Sequence, residues 1–463
     1  MLCRRIINTG LAACLVALGF CAGEAIAQSD IRPTALMGPT QTSNLDDYFT
    51  AAGLPAPASY SQTSMDTIED QDGDGINDVL LGVPDGDVVF ILSGRNLAFI
   101  DSIVGPAGTQ FGFCVRNSRS LVGLATEDII VGVPSGGSMG TGEVRTYINS
   151  AAGFVLLSQW QLQSGFQPSV SYGWCVEDAG DVNGDGASDV VVSDPFWNAS
   201  AGGFGNGVIE VISPLNITGG ALAVRVGGGS DNVGRSLLNV GNYNGVGTDE
   251  IAFSSNESQP NLPSQSDRVT ILNLQQPNFS ANIAREPLDD NFLPITDGIL
   301  GFSIALIQDV DGDGLGELVA GAPDVTSTPG QTRGATCLYN SASFHIFTGL
   351  GATGPIAFLE DSRTTGQHFG TTVAALPGSG DLTGDGIPEY LAAKSYASFS
   401  GATMPNGRAN LFVINGRTNS IAAEARPRNR SFNFGNAVVG VDEVDNRLRF
   451  AATDPELGLI HLF

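Results

Sequence analysis

The chain has 463 residues, 48 acidic against 21 basic, for a formal charge of −27, yet only 15% are charged and 42% are hydrophobic. So much apolar material builds a large core, which excludes a disordered acidic tail; so negative a surface repels phosphates and anionic headgroups, which excludes a nucleic-acid binder or a polybasic membrane-surface protein. Sixty-one glycines and 23 prolines, with no long apolar stretch at helical spacing, predict many short strands joined by tight turns and an all-β chain.

The first element is a leader. Arg4 and Arg5 precede an apolar stretch from Ile6 to Ala22, followed by Ala25-Ile26-Ala27, the pattern of a secretory signal peptide over 1–27. An alternative is Leu11-Ala12-Ala13-Cys14, which has the composition of a lipoprotein cleavage site and would put a lipid on Cys14. Removal of the leader leaves Cys114, Cys175 and Cys337, an odd count and no disulfide framework. No later segment reaches the roughly 18 apolar residues needed to span a bilayer. The expected location is secreted, extracellular or cell-surface associated, or periplasmic in a Gram-negative cell.

A repeat organises the rest. Phe111-Gly112, Tyr172-Gly173, Phe369-Gly370 and Phe434-Gly435, with weaker equivalents at Val233-Gly234 and Leu300-Gly301, place glycines 61 to 69 residues apart. After each pair come a short strand, an acidic or shortened loop and a second strand: DVLLGVP at 78–84, DIIVGVP at 128–134, DVVVSDP at 189–195, EIAFSSN at 250–256, ELVAGAP at 317–323, EYLAAKS at 389–395 and RFAATDP at 449–455. Third strands follow, from GDVVFIL through SFHIFTG at 343–349 to GLIHLF at the carboxyl end. One such sheet cannot bury both faces alone, so seven copies predict a closed seven-bladed β-propeller of four-stranded antiparallel blades over 60–463. The last copy stops on a third strand, so the segment 28–59 is expected to supply the missing strand and close the ring.

Four loops share one spacing: DQDGDGIND at 70–78, DVNGDGASD at 181–189, DVDGDGLGE at 309–317 and DLTGDGIPE at 381–389. Oxygen side chains fall at positions 1, 3, 5 and 9, with Gly at 6, as needed to wrap a hard cation such as Ca²⁺. An EF-hand would carry Glu at position 12, where this chain has Leu81, Val192, Ala320 and Ala392 in strand-like surroundings. Asp and Gly also make good turns without a metal, but four copies in register favour the cation. Three copies depart: Val246 takes position 5 in the fourth repeat, the second shortens to LVGLATED, and Arg449 replaces the ninth-position acid in the seventh. Arg449 is expected to act as a built-in cation there.

With its Phe-Gly pairs, its Gly-Val-Pro and Gly-Ala-Pro turns and its Asp-rich loops in this order, the chain resembles the FG-GAP repeat family and looks like the amino-terminal propeller of integrin α chains. The resemblance implies about four Ca²⁺ sites on the lower face, with ligands Asp70, Asp72, Asp74, Asp78; Asp181, Asn183, Asp185, Asp189; Asp309, Asp311, Asp313, Glu317; and Asp381, Thr383, Asp385, Glu389. It implies ligand binding on the upper face. A loop of this kind in the first repeat, and the lack of an inserted adhesion domain, depart from integrins and suit a stand-alone FG-GAP protein.

No catalytic set emerges. His345 and His461 fall in predicted third strands, and His368 has no nucleophile nearby in sequence. Gly136-Gly137-Ser138-Met139-Gly140 fits Gly-x-Ser-x-Gly but lies between strands, not on a strand-to-helix elbow. Cys114 and Cys175 occupy the same place in consecutive inner strands and are assigned to packing. The loops joining second and third strands are long at 194–207, 254–267, 323–343 and 395–408 and carry Phe196, Trp197, Phe204, Tyr339 and Phe399, expected to be exposed and to recognise a partner. The expected function is a calcium-binding adhesion or protein-interaction module with an extracellular protein or glycan ligand. The alternative is a carbohydrate-binding, hydrolase or lyase-type protein on the same scaffold.

Overall fold

A computed structural model describes residues 35–463, apart from 138–139, 163–170, 200–204, 229–230, 244, 246, 256–266, 275–279, 286–298, 313, 325–333, 340–356, 361–367, 395–408, 428, 430 and 445–446. The leader, Cys14 and His345 therefore lie outside the described residues.

The strands form seven sheets, one per repeat, five of them built from four antiparallel strands in chain order and the last two completed by the amino-terminal segment. The inner strands are Ser64–Ile68, Cys114–Ser118, Cys175–Gly180, Leu237–Gly241, Ile304–Leu306, Phe369–Ala375 and Val438–Val444. Each packs against the next and the last against the first, so the ring is closed. Second strands such as Asp78–Val83, Asp128–Val133 and Glu389–Lys394 are buried at every position, because a neighbouring blade covers each face. That burial explains why they read as continuous apolar runs and not as an alternating pattern.

The repeat glycines have a steric reason. Gly112, Gly173, Gly234, Gly301, Gly370 and Gly435 all adopt φ between 80° and 90°, where a Cβ is strained. Their carbonyls press on the second strand of the preceding blade. A Cβ on Gly82, Gly132 or Gly321 would stand 2.1, 2.1 and 2.0 Å from the carbonyl oxygens of Gly112, Gly173 and Gly370. Blade three replaces that glycine by Ser193, whose hydroxyl donates to the Gly234 carbonyl at 2.7 Å.

The amino-terminal segment closes the ring. Gln41–Asn44 pairs antiparallel with the third strand of blade seven, Leu459–Leu462, and becomes its outer strand. Just before it, Ala35–Met37 adds in parallel to Ser420–Ala425, the outer strand of blade six, which thereby gains a fifth strand. A short helix, Leu45–Ala51, follows, with the Asn44 side chain accepting from the N–H of Asp46. It buries Leu45, Tyr48 and Phe49 against blade one, with Phe49 edge-on to Phe90 at 5.1 Å.

Blade five corrects one expectation. Its third strand is Ala335–Tyr339, paired with Leu318–Ala322, and its outer strand is Ala357–Glu360; SFHIFTG at 343–349 falls outside the described residues. The reason is local: Gly334 bridges to Phe369 of the next blade, as Gly142 bridges to Tyr172, and this fixes where the third strand begins. Tyr339 therefore sits in a strand and not in a loop.

Candidate metal centres and upper-face surface

Each inner strand runs from its aromatic-Gly pair to its acidic loop, so the loops collect at one end of the ring. Their conformation repeats. Asp70 accepts from the N–H groups of Gly73, Asp74 and Gly75 at 2.7, 3.1 and 2.7 Å. Asp181 accepts from Gly184, Asp185 and Gly186, and Asp381 from Gly384, Asp385 and Gly386, at 2.6 to 3.0 Å. Asp309 holds Gly312 and Gly314 at 2.6 and 2.8 Å. The glycines at positions 4 and 6 of all four loops have φ between 75° and 93°, which turns the chain around its first aspartate.

The ninth-position acid anchors the loop from beneath. Asp78, Asp189, Glu317 and Glu389 are fully buried and accept the N–H of the second residue, from Gln71, Val182, Val310 and Leu382, at 2.7 to 3.0 Å. Burial pushes the carboxyls of Asp78, Asp189 and Glu389 above the usual range, Asp189 to about 7. The half-buried Asp70 is held low, chiefly by the N–H of Gly75. Two of the three degenerate copies keep this anchor: Tyr243 N–H reaches Glu250 and Leu121 N–H reaches Asp128, at 2.8 and 2.7 Å.

Three loops gather carboxylates. Oxygens of Asp70, Asp72 and Asp78, of Asp309, Asp311 and Glu317, and of Asp381, Asp385 and Glu389 lie within 4.8 Å of one another. A hard divalent cation with ligands at about 2.3 to 2.6 Å separates opposite oxygens by about 5 Å, so this all-oxygen donor set fits one. In blade three, the Asn183 amide donates to Asp189 at 3.1 Å; in blade six, the Thr383 hydroxyl donates to Glu389 at 3.0 Å. Asp313 lies outside the described residues.

A resident cation is found at another loop than expected. Arg449 donates to the Arg95 carbonyl at 2.9 Å, bridging blade seven to blade one. Arg95 itself engages Asp74, through Nε to the carboxylate and Nη2 to the carbonyl, both at 2.8 Å. Sequence spacing gave no sign of Arg95, which arrives from the turn after the third strand. Asn415 does the same in blade six, donating to Asp385 and Glu389 at 3.0 and 3.2 Å.

At the opposite end, two expected recognition residues prove buried. Trp197 is 2% exposed and Tyr339 fully buried; Trp197 is folded back by backbone hydrogen bonds to Asp194 and Gly207 at 3.4 and 3.0 Å. Phe196 remains 38% exposed, while Phe204 and Phe399 lie outside the described residues. The half-buried residues that directly follow the aromatic-Gly glycines, Phe113, Trp174, Arg235 and Phe302, went unread in the sequence. Phe113 and Trp174 rings lie 4.6 Å apart, Trp174 meets Phe196 edge-on at 4.9 Å, and Arg235 lies 4.6 Å over Phe302. Large side chains at one repeat position in four consecutive blades are the signal that could have found them.

His461 is buried, with Nδ1 2.9 Å from the Thr42 hydroxyl, and so ties the closing strand to blade seven. His368 pairs with Asp324 at 2.8 Å.

Comparison with known proteins fits this architecture. No protein-family model matches the chain. Integrin alpha-PS2 of Drosophila melanogaster is 30% identical over 173 residues, covering 34% of this chain and 12% of the fly protein. The chain thus spans about an eighth of the length of that relative. Over the matched stretch this seven-bladed propeller is thus similar to an integrin α chain. Among the described residues no helix is long and apolar enough to cross a membrane.

Proposed function

We propose that the protein is an exported FG-GAP propeller that binds Ca²⁺ in its lower-face loops and holds a protein ligand on its upper face. The observation that carries the reading is the repeated loop. Three copies bring three carboxylates to one point, and the glycine turns and buried anchors keep them there. Asp70, Asp72 and Asp78, Asp309, Asp311 and Glu317, and Asp381, Asp385 and Glu389 would hold the ions, with Asp181, Asp185 and Asp189 a fourth set. Bound Ca²⁺ would supply positive charge where like-charged side chains otherwise repel. The chain itself orients the carboxylates and holds their backbone in register between blades.

The upper-face reading rests on Phe113, Trp174 and Phe196, a continuous aromatic surface made by the residues just before two inner strands and by one loop. Such anchors carry most of the energy in protein interfaces, and the net charge of −27 favours a basic partner. The test is a pull-down from cell-surface extract with wild type and with Trp174→Ala/Phe196→Ala, with and without chelator, alongside a glycan array. Partner capture at least tenfold weaker in the variant, with melting unchanged, supports the reading. Equal capture by both sinks it, and binding confined to the array replaces the protein ligand by a glycan.

A further inference from the structure

Cys114 and Cys175 open the inner strands of blades two and three at the same repeat position, and their Sγ atoms lie 3.8 Å apart, both as thiols. Around them the strands are fixed. Tyr172-Gly173 is clamped against blade two, with the Gly173 carbonyl 2.1 Å from where a Gly132 Cβ would stand, and the same Cβ would stand 3.4 Å from Cys114 Cβ. The Val176 N–H points at Cys114 Sγ at 3.4 Å, and Arg116 reaches Glu177 across the same seam at 3.1 Å. Two sulfurs this close need only a small side-chain rotation to bond. Both are buried, with residual exposures of 6% and 7%. Cys337, also a buried thiol, sits in blade five with neither of these as neighbour.

We propose that Cys114 and Cys175 form an inter-blade disulfide when the protein meets a low-molecular-weight disulfide oxidant, and that this bond locks blade two to blade three. The inference is independent of calcium and of any ligand. The Cys175 thiol, the Val176 N–H and Arg116 favour the thiolate at Cys114, which makes it the attacking sulfur. Cys114 S⁻ attacks one sulfur of the oxidant's disulfide; that S–S bond breaks, and one thiolate leaves and takes up a proton. Cys175 then loses its proton and attacks Cys114 Sγ in the mixed disulfide, expelling the second thiolate. Two protein thiols are oxidised, one small disulfide is reduced to two thiols, and the protein loses two hydrogens.

The test uses the folded full chain incubated with oxidised glutathione, then alkylated in denaturant and mapped by mass spectrometry. Among Cys114, Cys175 and Cys337 the expected result is one alkylated thiol, on Cys337, and a peptide pair linking 114 to 175 that is about 2 Da lighter than the two reduced peptides. A raised melting temperature that returns to its starting value on reduction should accompany it. Cys175→Ser should stop at a glutathione adduct on Cys114. Alkylation of all three of Cys114, Cys175 and Cys337 after prolonged oxidation, or a stable glutathione adduct on Cys114 of the wild type, would overturn the proposal. Since the decisive readout is on wild type, a variant that fails to fold leaves the test intact.

Discussion

At the scale of single residues the ring is held by close contacts that leave no room for a methyl group. Gly132 and Gly321 each sit where an added Cβ would lie within 2.1 Å of a carbonyl oxygen of the next blade. Gly132→Ala or Gly321→Ala should lower stability in urea unfolding by about 1 to 3 kcal/mol, since backbone on both sides must shift. Gly38→Ala, with nothing within 4 Å, should be close to neutral. Ser193 shows the alternative solution, filling the space with a hydroxyl that bonds the opposing carbonyl. Glu210 is a different kind of residue: fully buried, its Oε2 takes the Tyr172 hydroxyl at 2.7 Å and the Trp160 indole N–H at 3.4 Å. Burial raises its carboxyl above the usual glutamate range, so the folded protein binds this proton more tightly than the unfolded chain. Its contribution is present at low pH and is lost as pH rises from about 4.5 through the raised folded value. Unfolding midpoints measured from pH 4 upward should therefore show a downward component that Glu210→Gln removes.

At the scale of elements the acidic loop has two separable tasks. The first-position aspartate is a turn former: Asp381 accepts N–H groups from Gly384, Asp385 and Gly386. The fifth-position aspartate accepts one backbone N–H, from Ile387 at 3.0 Å, which an asparagine oxygen can also accept, and the Asn415 amide at 3.0 Å. Asp381→Ala should thus destabilise the protein by about 1 to 3 kcal/mol even in chelator. Asp385→Asn, which puts at risk only the Asn415 bond, should cost the chelated protein less than Asp381→Ala does and reduce the rise in melting temperature on adding Ca²⁺. Differential scanning calorimetry of both variants with and without chelator separates the tasks; a loss of metal-free stability in Asp385→Asn matching that of Asp381→Ala would refute the division. The spacing of the loops was fully legible, because a cation or a turn around Asp-Gly fixes residues a few positions apart. Arg95 and Asn415 were not, because they enter from the turn after a third strand and from the end of one.

At the scale of the whole molecule, closure depends on pairing the two ends of the chain. Thr40 N–H bonds the Leu462 carbonyl at 2.8 Å, 422 residues away, and Gln41–Asn44 covers the otherwise open edge of Leu459–Leu462. Ala35–Met37 extends the same segment onto blade six, so one stretch of chain bridges two blades. Deleting residues 28–44 should leave blade seven with an exposed edge, lower the melting temperature and produce soluble aggregates on size-exclusion chromatography. An unaltered, monomeric, equally stable truncation would show that closure rests on blade-to-blade packing alone.

Some of this protein was determined by sequence alone, since a repeat of aromatic-Gly, acidic loop and apolar strand is written in local spacing and patterning. Seven blades, the loop positions and the need for a closing strand all follow from it, because a lone blade cannot bury both its faces. What only the tertiary structure decided are contacts across seams: the glycine-to-carbonyl approaches, the facing thiols of Cys114 and Cys175, the burial of Trp197 and Tyr339, and the Phe113–Trp174–Phe196 surface. In blade five, apolar patterning placed the third strand too late in the chain, because its start is set by Gly334 meeting Phe369 of the next blade. Equivalent residues about 60 positions apart in sequence become neighbours only once the ring closes, and no periodicity within a blade records which side chains will then meet.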